Sequence, residues 1–358
     1  MILVTIVAAN DDASFAAESW PYVLIRWASF LALILMVGAV VFRNGVLVRL
    51  QRAGALDDGA LRVAEYRTAM VGLSATGALL VSAIARVLAQ TAAMFGVESV
   101  ADLSLVGTIV GETAWGTGWT VQVLIAALAL LSFEMIRRQR CMRTELWWYT
   151  ALAATLVLAF TPAMTGHAMA VTDGSRRAIL ADGLHIIGGG AWIGTLALLL
   201  IAGLPAAGEE EQHDSVSVVR ALVRTFSPLA LGSAAGIVAT GAFAAWLHIG
   251  SVPALWQSDY GRVLLAKLGA LGIVVAIGAY NFLRIQPALA TSLGIRRLRW
   301  LAVLELAFAV IVLLITAVLV ATPTAREDAT ASLSSGTVAR PIVAYQSNRA
   351  GHRLSFPP

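Results

Sequence analysis

Eight separate runs of about twenty apolar residues constrain this chain more than any other feature, because each is long enough to cross a bilayer at about 1.5 Å per residue. They fall near residues 20 to 42, 68 to 90, 115 to 136, 146 to 170, 178 to 204, 226 to 250, 261 to 283 and 300 to 322. Continuous runs, rather than alternating ten-residue stretches, exclude an outer-membrane barrel. They predict an all-α fold, a polytopic helical membrane bundle, since in hydrocarbon a helix satisfies every backbone polar group within its own segment. Composition agrees: only 13% of residues are charged, about half the roughly 25% of a soluble domain. The single cysteine, Cys141, excludes a disulfide framework or a thiolate metal cluster.

Arginine sets the expected orientation. The first, third, fifth and seventh connections carry 15 arginines, among them Arg43, Arg52, Arg67, Arg137, Arg143, Arg220, Arg284 and Arg299. The other face carries three, Arg176, Arg177 and Arg262. The positive-inside rule then places the arginine-rich loops in the cytoplasm and both termini outside. Trp20, Trp115, Trp119 and Trp256 fall at the outer interface and Trp147, Trp148 and Trp300 at the inner one, where an amphipathic indole is stable. Residues 1–19 read as a short extracytoplasmic start, because MILVTIVAAN lacks a basic region and is too short to span. Residues 324–358 read as a disordered outer tail. The glycine pairs Gly190/Gly194 and Gly232/Gly236 have the spacing that lets helices approach closely in lipid.

Ionisable side chains within a span cost a few kcal/mol each, so those retained are expected to face the bundle interior or a wet cavity. They are Arg26, Arg86, Asp182, His185, Lys267 and Glu305, with His167 and His248 near span ends. In the expected topology His167, His185 and His248 come from three helices and lie at one level near the outer surface. Met164 and His167 share a helix face at i and i+3, as do Asp182 and His185. Imidazole and thioether suit copper, and methionine favours the cuprous ion, so Met164, Met169 and the three histidines are candidate ligands, with Asp182 orienting a ring or balancing charge. Pro162 is expected to break the helix before His167. Plainer readings stand beside this one. His248 serves as an interfacial residue, His167 and His185 as packing histidines, the methionines as apolar filler, Lys267 as an ion-pair partner of Asp182, and Arg26 and Arg86 as residues reaching the outer interface. Deeper towards the cytoplasm, Glu305 either bonds Asn281 or Arg284, or relays a cation or proton.

The stretch Thr165-Gly166-His167-Ala168, followed by Asp182-Gly183-Leu184-His185 and Gly190-Ala191-Trp192-Ile193-Gly194, resembles the copper-resistance D (CopD) family. Asp259-Tyr260-Gly261-Arg262, Lys267, Asn281-Phe282-Leu283-Arg284, Leu304-Glu305-Leu306 and Ala321-Thr322-Pro323 follow in the family's order. The resemblance covers about residues 145–323, taken as CopD-like helices four to eight, with residues 20–144 forming helices one to three. It implies a multi-pass inner-membrane protein, not an enzyme, that moves copper ion, Cu(I) or Cu(II), from the periplasm or exterior towards the cytoplasm. Trp192, Asn281 and Glu305 would lie along the path, and a separate CopC-like periplasmic copper protein would be the partner. No phosphate-binding loop is present, so transport would draw on a gradient or a partner. A b-type haem electron-transfer protein, with histidines on facing helices as axial ligands, is a second reading; a copper chaperone that does not translocate is a third. The orientation has a direct check: a topology reporter fused after Arg143 is expected to be active in the cytoplasm, and activity outside would invert the assignment.

Overall fold

The computed structural model describes residues 19–138, 144–165, 175–208, 212–286 and 292–326. Among them every regular element is helical, and eight helices are long and apolar enough to cross a membrane. They are α1 Trp20–Arg52, α2 Asp58–Phe95, α3 Ala114–Arg138, α4 Thr144–Met164, α5 Arg176–Ala207, α6 Ser215–Ile249, α7 Asp259–Ile285 and α8 Leu293–Ala321. Their number matches the apolar runs, but several extend well past them. The 38 residues of α2 would measure about 57 Å at helical rise, against a hydrocarbon core of about 30 Å. Its first turns are charged and end in water, and Asp57 caps it by accepting the Ala60 amide at 2.6 Å. A short apolar helix, Leu103–Glu112, lies in the connection where only a loop was expected.

Successive helices run antiparallel, so one face carries Trp20, Phe95 and Ile249 and the other carries Arg52, Arg138 and Ile285. At the latter face Arg43 is not a loop residue as the arginine count assumed. α1 continues through it in a π-helical turn, Phe42–Leu47, and the side chain is 3% exposed. Its guanidinium donates to Glu65 of α2 at 3.2 Å and to Glu145 of α4, and lies 5.4 Å from the Trp148 ring. One cation thereby ties three helices together, the arrangement in which a buried charge is tolerated.

Pro162 acts as expected. α4 is interrupted by a turn at Ala159 and Phe160 and resumes for a single turn, Thr161–Met164. The Thr161 hydroxyl donates to the Leu158 carbonyl at 2.8 Å and that of Thr165 to Pro162 at 3.3 Å, satisfying acceptors that the break releases.

The two glycine pairs fare differently. A Cβ at Gly38 would lie 2.3 Å from the Gly194 carbonyl carbon, one at Gly194 2.1 Å from the Ile34 oxygen, and one at Gly190 2.3 Å from the Val37 Cβ, so α1 and α5 meet backbone to backbone. Gly232 and Gly236 have no atom within 4 Å of such a Cβ, so that spacing packs no helix among the described residues. Gly194→Val is therefore expected to destabilise the protein by about 1–3 kcal/mol or more through overpacking, whereas Gly232→Ala should stay within about 0.5 kcal/mol. Equilibrium unfolding in detergent distinguishes them; equal effects would refute the packing assignment.

Candidate functional site

The polar residues of interest lie on α5, α6, α7 and α8. His185 sits about six turns before the end of α5, partly buried, with Nδ1 2.9 Å from the Thr240 hydroxyl of α6. That hydroxyl also donates to the Gly236 carbonyl at 2.8 Å, which leaves its oxygen to accept from an Nδ1–H tautomer. Gly241 lies alongside: a Cβ there would be 3.4 Å from His185 Cε1. His248 is eight residues further along the same α6, about 12 Å of helix axis, and its ring centroid lies 6.1 Å from that of Tyr260. His185 and His248 are thus not at one level, contrary to the expected convergence. The helix ends meet as hydropathy implies, with Ala178 and Ile179 packed together with Leu247, so His185, seven residues into the span, lies about 10 Å deeper than a residue at the end of α6. Met164 ends α4, close to Gly118 of α3. His167 and Met169 lie outside the described residues. Among the described residues no three His, Cys, Asp or Glu side chains come together as a group able to hold a metal ion.

Two cavities follow one another beyond His185. The first, of about 120 Å³, is lined by His185, Lys267, Trp192, Ile237, Thr316 and apolar neighbours. Lys267 is within electrostatic reach of Asp182 and His185, but no contact ion pair joins it to Asp182 among the described residues. The second, of about 250 Å³, is lined by Trp192, Glu305, Asn281, Ser227, Gln286 and many apolar side chains. Trp192 borders both.

At that shared wall the Trp192 indole N–H donates to Glu305 Oε1 at 3.1 Å, and Asn281 Nδ2 donates to Oε2 at 3.4 Å. Glu305 is 3% exposed. Gly278 leaves room for it, since a Cβ there would come within 3.3 Å of Oε1. Asn281, not Arg284, is therefore its partner. Both donors stand on π-helical turns, Gly190–Gly194 and Asn281–Ile285. The bond from Trp192 was not foreseen, although a tryptophan in mid-span, away from either interface, needs an N–H acceptor.

A second polar centre lies near the Trp20 face. Arg86, 7% exposed and so not at an interface, donates to Gln122 at 3.2 Å and Thr165 at 2.8 Å, with Trp115 5.6 Å away. The buried polar Gln122, mid-run in α3, was the sequence signal for it.

An eight-helix bundle with polar side chains buried among its last four helices defines a polytopic integral membrane protein. Two family models match the chain: "Copper resistance protein D-like, N-terminal domain" over residues 16–178 and "Copper resistance protein D" over residues 220–319. The chain belongs to the copper-resistance D family. It is 28% identical over 305 residues to the copper resistance protein D of Pseudomonas syringae pv. tomato, covering 81% of this chain and 93% of that one. It is 29% identical over 218 residues to the copper transport protein CutJ of Bacillus subtilis, covering 61% of this chain but only 38% of CutJ. No solved structure matches it.

Trp192→Phe removes the indole donor from a buried carboxylate and should cost about 1–3 kcal/mol of stability. Combined with Glu305→Gln, the loss should be less than additive in a double-mutant cycle measured by equilibrium unfolding. Strict additivity would mean that the bond carries no energy.

Proposed function

We propose that the protein carries copper from the periplasmic or exterior side, through the inner membrane, to the cytoplasm. The observation that carries this reading is the end-to-end placement of two cavities that share Trp192 as a wall, with an imidazole at one and a buried carboxylate at the other. The family supplies the metal: relatives named for copper resistance and copper transport make copper the cargo.

In this scheme the Trp20 face is outside, as the arginine distribution indicates. His185 receives the ion on its imidazole, with ligands from the 166–174 segment, where His167 and Met169 stand, completing the donor set with Met164. Thr240 holds the His185 ring and Asp182 offsets charge. His248, about 12 Å nearer the Trp20 face along α6, acts earlier, as an entry contact. The ion then passes Trp192 towards Glu305, whose negative charge favours a cation at that depth. A separate CopC-like protein would deliver copper at the outer side.

His185→Ala is expected to lower radiocopper accumulation in proteoliposomes at least about tenfold, and metal analysis of purified His167→Ala and His185→Ala proteins to return less copper than wild type. Undiminished uptake by His185→Ala would remove this residue from the path. Copper retained by both variants would dismiss the histidine site altogether.

A further inference from the structure

The second cavity offers a chemistry that suits a further ligand besides a copper ion in transit. Glu305 makes no ion pair among the described residues, and its two bonds come from the neutral donors Trp192 and Asn281. Asn281 gives its amide N–H to Glu305 and leaves Oδ1 buried without a partner among the described residues. The Ser227 hydroxyl is already committed to the Val223 carbonyl at 2.8 Å. At this point the cavity therefore presents acceptors: the remaining lone pairs of a carboxylate and an orphan amide oxygen. Acceptors in a buried place call for a ligand that is cationic and carries N–H donors.

The remaining wall sets the other half of the ligand. It is almost wholly apolar and runs between α6 and α7, where Leu231, Phe282 and Leu283 are exposed at the rim. In a chain with eight membrane-spanning helices these side chains face acyl chains, so the way in is from the hydrocarbon and suits an apolar tail. A copper ion meets only hard oxygen donors here, which suits transient passage and not a resident site. A quaternary ammonium has the charge without the donors, and a fatty acid has the wrong charge.

We propose that this cavity is a binding site for a lipophilic primary amine, its protonated head between Glu305 and Asn281 Oδ1 and its alkyl chain in the groove between α6 and α7. The site stands independently of the copper reading, although an amine bound there would plug the path.

The test uses the full chain in lipid nanodiscs and decylamine carrying a mid-chain diazirine. Photolabelling should concentrate on peptides spanning Ala230–Ala234 and Val275–Phe282, be competed by plain decylamine, and fall about tenfold in Glu305→Gln. Ala234→Phe, which fills the cavity from α6 and keeps the carboxylate, should also lose the label, so the test survives if Glu305→Gln folds poorly. Equal labelling by the trimethylated or carboxylic-acid analogue, label spread evenly over the lipid-facing helices, or unchanged labelling in Ala234→Phe would overturn the proposal. Copper uptake by the same variants in proteoliposomes is scored separately, so neither reading can fail in the other's name.

Discussion

The backbone contact between α1 and α5 is the constraint on which the interior depends. Where Gly38 meets Gly194 and Gly190 meets Val37, no side chain separates the helices. In lipid such contact is stabilised by dispersion and hydrogen bonding rather than by removal of apolar surface from water. Trp192 stands between the two α5 glycines, so pressing α5 onto α1 fixes the indole's origin and leaves its ring directed at α8. The bond to Glu305 follows from that placement, and so does the division of the interior into two cavities.

Buried charge is compensated differently in the two halves of the chain. Arg43 has two carboxylates and an aromatic face, and it joins α1, α2 and α4. Arg86 has an amide, a hydroxyl and an indole. Both are held by groups that would be costly to lose, which is the behaviour of fixed structure. Glu305, by contrast, has neutral donors on one side and open cavity on the other. A charge left half-compensated inside a membrane protein is where a mobile cation lowers the energy most. The same contrast runs through the packing: much of α1 and α5 is buried, whereas the most apolar stretches of α6 and α7 have few fully buried residues, and these helices help to frame the larger cavity.

How far the sequence could be read depended on the range of the interaction. Apolar runs report directly on spans because the bilayer fixes their length, and the helix break at Pro162 is a local covalent effect. Gly190 and Gly194 were legible as a packing face, but Gly232 and Gly236 carry the same spacing without a partner, because a spacing rule does not say what lies opposite. Helix ends were too short in the reading, since charged turns of α1 and α2 continue as helix beyond the hydrocarbon. The level of His185 relative to His248 failed for a related reason. The reading counted a residue seven positions inside α5 and one at the end of α6 as one level, and the Thr240 contact preserves that difference. Asn281 beside Glu305 could be read from equal depth; the approach of Trp192 could not, as it depends on how α5 is rotated.

That rotation is tied to the π-helical turns. A π turn inserts a residue relative to the regular ladder and interrupts the i to i−4 pattern, a cost that hydrocarbon makes worse because no water compensates the displaced carbonyl. Two of the four π-helical segments among the described residues, Gly190–Gly194 and Asn281–Ile285, carry the two donors to Glu305. A third, Leu199–Gly203, follows one turn after the first on the same helix. Such turns persist where tertiary contacts over-determine them. Here the contacts are identifiable: glycine-lined backbone packing against α1 on one side of α5 and a carboxylate acceptor on the other. The irregular backbone is thereby the means by which two helices deliver polar side chains to the same buried oxygen pair.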